Sequence, residues 1–192
     1  MRKQSLPSVS RLFMAVSGSA LILLALVILI LPLQWVTAAV LAAIFHEWCH
    51  MMAIRWCGGQ YLGLQIGAGG ARLRVGGLSR GQELFCAIAG PMGGLVLLLF
   101  ARWIPRTAVC AGFQSLFNLL PVYPLDGGRV LLCMGLSETA CRWVEKLCLY
   151  GILVLGLWAS FGLHLGITPC IIGLMVWFRA KRPCNAGVFS LQ

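Results

Sequence analysis

Charged residues are scarce in this sequence, and acidic residues are the scarcest. Only 10% of the 192 residues are charged, against about 25% in a soluble domain. There are 15 lysines and arginines but only five aspartates and glutamates. This composition excludes an ordinary soluble globule. A hydrophobic content of 60% and a mean hydropathy of +0.90 also exclude a disordered chain. We therefore predict an integral membrane protein.

Two patterns that would indicate other classes of protein are also missing. The formal charge of +10 would suit a nucleic-acid-binding protein, but the basic residues lie in short clusters between apolar runs and form no extended basic stripe. We predict no nucleic-acid partner. The nine cysteines include no Cys-x-x-Cys pair, and most lie within apolar runs. We interpret them as small packing residues in a reducing compartment, not as a disulfide scaffold.

Long apolar runs predict the transmembrane segments. A helix needs about 20 apolar residues to cross the hydrocarbon, and the run from Leu12 to Leu31 contains no charge. A cleaved signal peptide is the alternative for this first run. Together with the later runs we predict about six spans, and hence an all-α polytopic membrane protein. The later runs are Trp35–Trp56, Leu84–Phe100, Ala108–Leu136, Leu147–Leu163 and Leu165–Phe178.

The positions of the basic residues predict the orientation in the membrane. Lysine and arginine are enriched in cytoplasmic loops. Here they cluster in the N-terminal tail, in the loop after the second run and after the last run, whereas the loop after the third run has only Arg102 and Arg106. We predict a multi-pass protein of the cell (inner) membrane with both termini in the cytoplasm. Residues 1–11 and 179–192 would be cytoplasmic tails, and 12–178 the membrane domain.

A His-Glu-x-x-His pattern lies inside the second apolar run. It is formed by His46, Glu47 and His50 in a chain that has only three histidines. Residues four apart share one face of a helix, so both imidazoles can reach the same zinc ion, and Glu47 beside them can take a proton from water that the zinc activates. Core histidines bonded to nearby carbonyls are the alternative. The pattern predicts a catalytic zinc site in the membrane.

Asp126 is the strongest candidate for a third zinc ligand. Apart from Glu47, it is the only acidic residue deep in an apolar segment, between Pro121 and Pro124 on one side and Gly127 and Gly128 on the other. These residues predict that the fourth run is broken, and irregular backbone at membrane depth is tolerated only against protein or a wet cavity. A helix-capping aspartate is an alternative role, and the two roles are compatible.

At this point the chain resembles the site-2 protease family of intramembrane zinc metalloproteases. Two motifs carry the resemblance: His46-Glu47-Trp48-Cys49-His50, and the segment from Asn118 to Arg129 that contains Pro121, Pro124 and Asp126-Gly127-Gly128. The second is close to the form in the small sporulation-factor-processing branch. The resemblance implies a three-helix protease core within 12–178, zinc ligands His46, His50 and Asp126, and Glu47 as general base.

The resemblance also assigns a role to Asn118. It implies that Asn118 helps to hold the substrate or its oxyanion; packing at a helix bend is the alternative. The segment Ala89-Gly90-Pro91-Met92-Gly93-Gly94 matches a further family motif, although the family often has asparagine where Gly94 stands. Trp48 and Cys49 also replace a smaller Leu-Gly pair. We expect these departures to affect packing around the zinc.

The segment 57–81 is rich in glycine, and apolar residues alternate with Arg72 and Arg74 within it. The alternation predicts a short membrane-associated β element, whose free edge would pair with an unwound substrate. A flexible loop with solvated arginines is the alternative. For Arg129 we predict a structural role, paired with Asp126 or another buried carboxylate, because an unpaired cation near zinc would repel the metal.

We therefore expect an intramembrane zinc endopeptidase that cleaves a membrane-bound protein. The resemblance suggests regulated proteolysis of a signalling or transcription-factor precursor, with a further membrane protein as a possible regulator. A catalytically silent zinc-containing scaffold is the first alternative, although Glu47 argues against it because a structural site needs no base. A metal transporter is the second; it would spread polar residues along several spans, whereas here they converge in two segments.

Overall fold

In the computed structural model of the chain, the described residues are 14–16, 25, 28–29, 31–67, 70–164 and 166–180. They form three β-strands, one short 3₁₀ helix and six α-helices of eight to 24 residues. The three strands belong to a single sheet. Helices dominate the fold, as the apolar runs predict.

The first described helix, α1, carries the His-Glu-x-x-His pattern. It runs over Leu33–Trp56 and begins directly after Pro32, whose ring has the fixed φ that suits a helix start. It ends where Gly58 adopts a φ of +73°, and the amide of Gly59 donates to the carbonyl of Ile54 at 3.0 Å. This left-handed glycine stops the helix and turns the chain into the sheet.

The sheet has the strand order β1-β2-β3, with β1 at Met14–Val16, β2 at Gln60–Gly67 and β3 at Gly70–Gly76. Strands β2 and β3 form an antiparallel hairpin that closes with Gly67 opposite Gly70. Strand β1 pairs with β2 in parallel and sets Ala15 opposite Gln65. The hairpin therefore lies within the glycine-rich segment; its association with the membrane stays a prediction.

Helix α2, Arg80–Val96, begins with a capping box. The Ser79 hydroxyl accepts from the amide of Gln82, and the Gln82 side chain accepts from the amide of Ser79 at 2.9 Å. The Gln82 side-chain nitrogen also donates to the Cys57 carbonyl at 3.1 Å. The start of α2 is thereby tied to the end of α1. A 3₁₀ helix, Leu97–Phe100, continues α2.

The fourth apolar run is broken into two helices, as predicted. Helix α3 covers Pro105–Asn118 and has proline in its first turn, where a missing amide costs nothing. Helix α4 covers Asp126–Cys133. The loop between them is held by a hydrogen bond from the Leu125 amide to the Val122 carbonyl at 2.9 Å. The break places Asn118 and Asp126 at facing helix ends.

The last two helices form a hairpin. Helix α5 covers Glu138–Phe161 and α6 covers Thr168–Ala180. A Cβ on Gly156 would lie 2.9 Å from the Pro169 carbonyl oxygen, so glycine allows the two helices to approach closely. The rings of Tyr150 and Trp177 also meet edge to face, with centroids 5.1 Å apart.

Helices α1, α2 and α3 pack against one another, and α4 lies against α2. Among the described residues three helical segments are long and apolar enough to cross a membrane: α1, α2 with its 3₁₀ extension, and α5. Many large apolar side chains on them are exposed, such as Leu99 at 77% and Phe161 at 75%. These features support a membrane protein with a helical core.

The predicted spans differ from the observed elements in two places. Most of the predicted first span lies outside the described residues, but Met14–Val16 within it form strand β1, so a helix starting at Leu12 is wrong there. An apolar composition indicates burial but does not distinguish a helix from a strand. Here Met14–Val16 pair with the edge of β2 and form a strand. Helices α3 and α6, with 14 and 13 residues, are short for a crossing. The count of six and the cytoplasmic termini stay predictions.

Candidate metal centre

Three buried side chains converge between α1 and the start of α4. His46 and His50 lie one turn apart on α1, and Asp126 is the first residue of α4. The Nε2 atom of His46 lies 3.1 Å from Oδ2 of Asp126, and Nε2 of His50 lies 3.2 Å from the same oxygen. The two Nε2 atoms are 3.2 Å apart. The three predicted ligands are thus brought together.

The spacing of these three atoms fits a tetrahedral metal ion. Ligands about 2.0–2.1 Å from zinc are separated from one another by roughly 3.3–3.4 Å, close to the 3.1–3.2 Å seen here. Two imidazoles and one carboxylate also form a donor set that suits zinc. The residues therefore fit the predicted metal, and three protein ligands leave a fourth position open, as in catalytic zinc sites.

The orientation of His50 is set by helix α2. Its Nδ1 atom lies 2.7 Å from the Cys86 carbonyl oxygen, so Nδ1 carries the proton and donates it, which leaves Nε2 as an acceptor. That acceptor faces the carboxylate oxygen of Asp126 at 3.2 Å. Either a metal ion between the two atoms or a proton on Nε2 stabilises this contact. The hydrogen bond to the Cys86 carbonyl uses Nδ1 only, so Nε2 stays directed at Asp126.

Gly90 allows helix α2 to approach His50 closely. A Cβ at Gly90 would collide with the His50 ring, at atoms including Nε2. Gly93 likewise leaves room for the Cys49 thiol, and Gly94 for the Ser115 hydroxyl. Cys49 therefore packs against Gly93, and Trp48 is 49% exposed; the effect of this pair on the packing around zinc stays a prediction.

The carboxylate of Asp126 is divided between two kinds of partner. Its Oδ2 faces the histidines, and its Oδ1 lies 3.6 Å from Nη1 of Arg129. The predicted pairing of Arg129 with Asp126 is therefore present, and the anion separates the guanidinium from the two imidazoles. Asp126 follows the N-cap residue Leu125, and no side chain caps α4. Asp126 is thus not the helix cap.

The two glycines after Asp126 explain how α4 reaches the site. A Cβ at Gly127 would collide with the Leu119 carbonyl, and a Cβ at Gly128 would press on the backbone of Val122 and Tyr123. The first turn of α4 therefore packs directly under the loop that follows α3. Larger residues at either position would push Asp126 away from the histidines.

Asn118 and Glu47 complete the neighbourhood. The Asn118 side-chain amide lies 3.3 Å from Nε2 of His46, so Asn118 borders the metal centre from the end of α3. Glu47 is half-buried on α1, and its carboxyl is close enough to His46, His50 and Asp126 for their charges to act on it. The structure thus gathers all five predicted site residues; their roles stay predictions.

Two neighbours of the site were not expected from the sequence. The Cys86 carbonyl belongs to the backbone and carries no residue-type signal, and Ser115 is an ordinary helix residue until its neighbours are known. The Ser115 hydroxyl is fully buried and faces Gly94. Its spacing of three residues from Asn118 was the only available signal, because residues three apart share a helix face.

A comparison with solved structures identifies the fold. The described helices and strands match "Site-2 Protease from Methanocaldococcus jannaschii" with a TM-score of 0.61 and 20% sequence identity, over 92% of this chain and 94% of that chain. The chain shares the fold of that protease. No protein-family model matches the sequence, and no curated protein matches it. At this identity the likeness establishes the site-2 protease fold and leaves the activity to be argued from the site.

Proposed function

We propose that this protein is an intramembrane zinc endopeptidase of the site-2 protease family, closest to its small sporulation-factor-processing branch. The observation that carries the proposal is the convergence of Nε2 of His46, Nε2 of His50 and Oδ2 of Asp126 within 4.8 Å of one another, in a helical membrane fold. Glu47 beside this group supplies the base that a hydrolase needs.

Each side chain has a distinct task in the proposed reaction. His46, His50 and Asp126 would hold the zinc, which would supply a Lewis acid toward water and a carbonyl. Glu47 accepts the proton of the attacking water and passes it to the leaving amine. The Asn118 amide donates a hydrogen bond to the substrate carbonyl oxygen, where negative charge develops.

Arg129 has a supporting task. Its guanidinium lies 3.6 Å from Oδ1 of Asp126, so it holds that oxygen while Oδ2 remains directed at the metal. Partners of this kind orient metal ligands and tune their affinity. Arg129 therefore positions Asp126 and does not contact the substrate in this proposal.

The proposed substrate is a membrane-bound protein cleaved near the inner leaflet. His46 and His50 lie in the second half of α1, which ends near Arg55, and basic residues favour the cytoplasmic side. A substrate helix must unwind before hydrolysis, and its freed amides need partners. Among the described strands, β1 and β3 are each paired on one side only, and the outer edge of β3, the longer of the two, would accept an extended substrate by β-augmentation.

The biological setting that we propose is regulated intramembrane proteolysis in the cell membrane, with both termini in the cytoplasm. The substrate would be a signalling or transcription-factor precursor, and a second membrane protein would regulate its cleavage. This part of the proposal rests on the family resemblance of the two motifs.

The test compares new protein N-termini in native membranes that contain the wild-type protein or Glu47→Gln. This substitution keeps the metal ligands and removes the base, and general base catalysis contributes about 10²- to 10⁴-fold. We expect fragments cut near a cytoplasmic membrane boundary with the wild type, and their loss with Glu47→Gln. Glu138→Gln is the matched control, since Glu138 lies exposed at the start of α5. Identical fragment sets from wild type and Glu47→Gln, with both proteins expressed and holding zinc, would instead favour a silent scaffold.

A further inference from the structure

Two buried polar atoms beside the metal centre have no hydrogen-bond partner among the described residues. They are Nδ1 of His46 and Oγ of Ser115. His46 is 2% exposed and Ser115 is 0% exposed. A buried polar group left without a hydrogen-bond partner is destabilising. The two atoms are therefore expected to share a partner or to pair with each other.

The packing of α1, α2 and α3 places His46 and Ser115 at the same level. Gly90 backs the His50 ring, and Gly93 backs Cys49 and Phe45, so α2 runs antiparallel to α1. Gly94 lies one turn beyond Gly90, and His46 lies one turn before His50. Gly94 is therefore level with His46.

Ser115 reaches the same level from α3. A Cβ on Gly94 would collide with the Ser115 hydroxyl. Ser115 also lies three residues before Asn118, whose amide is 3.3 Å from Nε2 of His46. The Ala111 carbonyl borders the same space, at 3.1 Å from the position of a Gly94 Cβ. The Ser115 hydroxyl and the Ala111 carbonyl thus lie on the side of α3 that faces Gly94, at the level of His46.

The tautomer of His46 decides which group donates. When Nε2 binds the metal, Nδ1 carries the proton and needs an acceptor. Histidine ligands almost always donate this second proton to a carboxylate, a carbonyl or a water. For His50 that acceptor is the Cys86 carbonyl. Nδ1 of His46 has no direct acceptor among the described residues, so a bridging water would connect it to the Ser115 oxygen.

We propose that Ser115 is a positioning residue for His46, linked to Nδ1 by one bridging water molecule. A buried water usually makes about three hydrogen bonds, and His46, Ser115 and the Ala111 carbonyl provide that number. Gly94 leaves the room that the Ser115 hydroxyl occupies, and a Cβ there would collide with that hydroxyl. This inference rests on the proposed function only in taking His46 as a metal ligand.

The first experiment observes the histidine rings by NMR in the full-length, zinc-loaded protein with ¹⁵N-labelled histidine. The chain has only three histidines, so the spectrum is simple. We expect Ser115→Ala to shift the Nδ1–H signal of His46, or to broaden it by exchange with water, and to leave that of His50 unchanged. Ser160→Ala is the matched control, because Oγ of Ser160 is the third buried atom without a partner in the described chain and lies on α5.

The second readout is the affinity for zinc, measured by competition with a chelator. Loss of an outer partner of a metal-bound histidine costs about 10- to 100-fold in affinity. We expect Ser115→Ala to weaken zinc binding about 10-fold and Ser160→Ala to leave it unchanged. Neither readout requires proteolysis, so a correct Ser115 assignment survives if the protein cuts nothing. A protein that cleaves its substrate while Ser115→Ala changes nothing refutes this assignment alone.

A rescue variant separates positioning from packing. Once the Ser115 oxygen is removed, a Cβ on Gly94 lies 3.5 Å from the Cβ of residue 115, an ordinary contact, and 3.1 Å from the Ala111 carbonyl oxygen, a tight contact that a small shift relieves. The double variant Gly94→Ser with Ser115→Ala therefore returns a hydroxyl to the same space from the opposite wall. We expect it to restore zinc affinity and the His46 signal. Ser115→Ala and Ser160→Ala giving the same His46 signal and zinc affinity would overturn the inference.

Discussion

Helix α1 is more deeply buried in the protein than helix α5. Within an apolar stretch of 18 residues, 33% of the residues of α1 are buried, whereas 11% of those of α5 are. Both helices have 24 residues and both are apolar enough to cross a membrane. Helix α1 sits against two other helices and supplies two residues of the metal centre. Helix α5 contacts mainly α6 and leaves side chains such as Leu147 exposed. Two helices of similar apolarity thus differ in how tightly they pack against the rest of the protein.

Glycine shows the difference most clearly. Gly90 on α2 faces the His50 ring so closely that no Cβ fits, whereas a Cβ on Gly151 in α5 would meet nothing within 4 Å. The same residue type serves close packing at Gly90, beside the metal centre, and has no such task at Gly151. Substitutions that compare the two regions therefore test whether the helices around the site are held as tightly as the structure indicates.

The largest effect is expected from Gly90→Ala. The added methyl group would displace His50, and overpacking of this kind costs about 1–3 kcal/mol. We expect loss of zinc binding together with a lower midpoint of thermal unfolding in detergent. Gly151→Ala is the matched control; it should raise helix stability by up to about 1 kcal/mol and leave zinc binding unchanged. Equal behaviour of the two variants would show that α2 does not press on the site.

A smaller effect is expected from Arg129→Gln. Removing the guanidinium frees Oδ1 of Asp126 and loosens the orientation of Oδ2 toward the metal. We expect zinc affinity to fall about 10-fold, measured by chelator competition. Arg142→Gln serves as control, since its ion pair with Glu138 lies at the surface of α5, 3.1 Å long, with both side chains more than 60% exposed. Surface pairs of this kind contribute about 0–1 kcal/mol.

The smallest effect on zinc binding is expected from Glu145→Ala, which tests the link between the two regions. The Glu145 carboxylate accepts a hydrogen bond from the Tyr123 amide at 3.0 Å, and Tyr123 lies in the loop before Asp126. Loss of the acceptor should lower stability by about 1–3 kcal/mol with only a slight change in zinc affinity. Glu138→Ala is the control. A strong loss of zinc in Glu145→Ala would mean that the hairpin holds the metal centre in place.

Much of the site follows from the sequence because its residues form two short, specific patterns. The spacing of His46 and His50 fixes their common helix face, and the prolines and glycines around Asp126 predict the break that brings it to them. The break appears between Asn118 and Asp126 as expected. The pairing of Arg129 with Asp126 also follows from the high cost of an isolated buried cation.

Other features depend on contacts that no local pattern encodes. Strand β1 lies within a run that is apolar enough for a helix, and only pairing with the distant β2 makes it a strand. The Cys86 carbonyl orients His50 through the backbone, and the importance of Ser115 depends on Gly94 in another helix. Tertiary packing decides all three, so a single sequence without a fold does not reveal them.

The central claim is that His46, His50 and Asp126 hold a zinc ion, and metal content tests it most directly. Zinc would be measured by mass spectrometry in purified full-length wild type, in His46→Ala with His50→Ala, and in His164→Ala. His164 is the remaining histidine and lies at the turn after α5. We predict about one zinc ion per chain in the wild type and in His164→Ala, and none in the double variant. Equal zinc in the double variant and the wild type, or none in the wild type after loading, would contradict the metal centre described here.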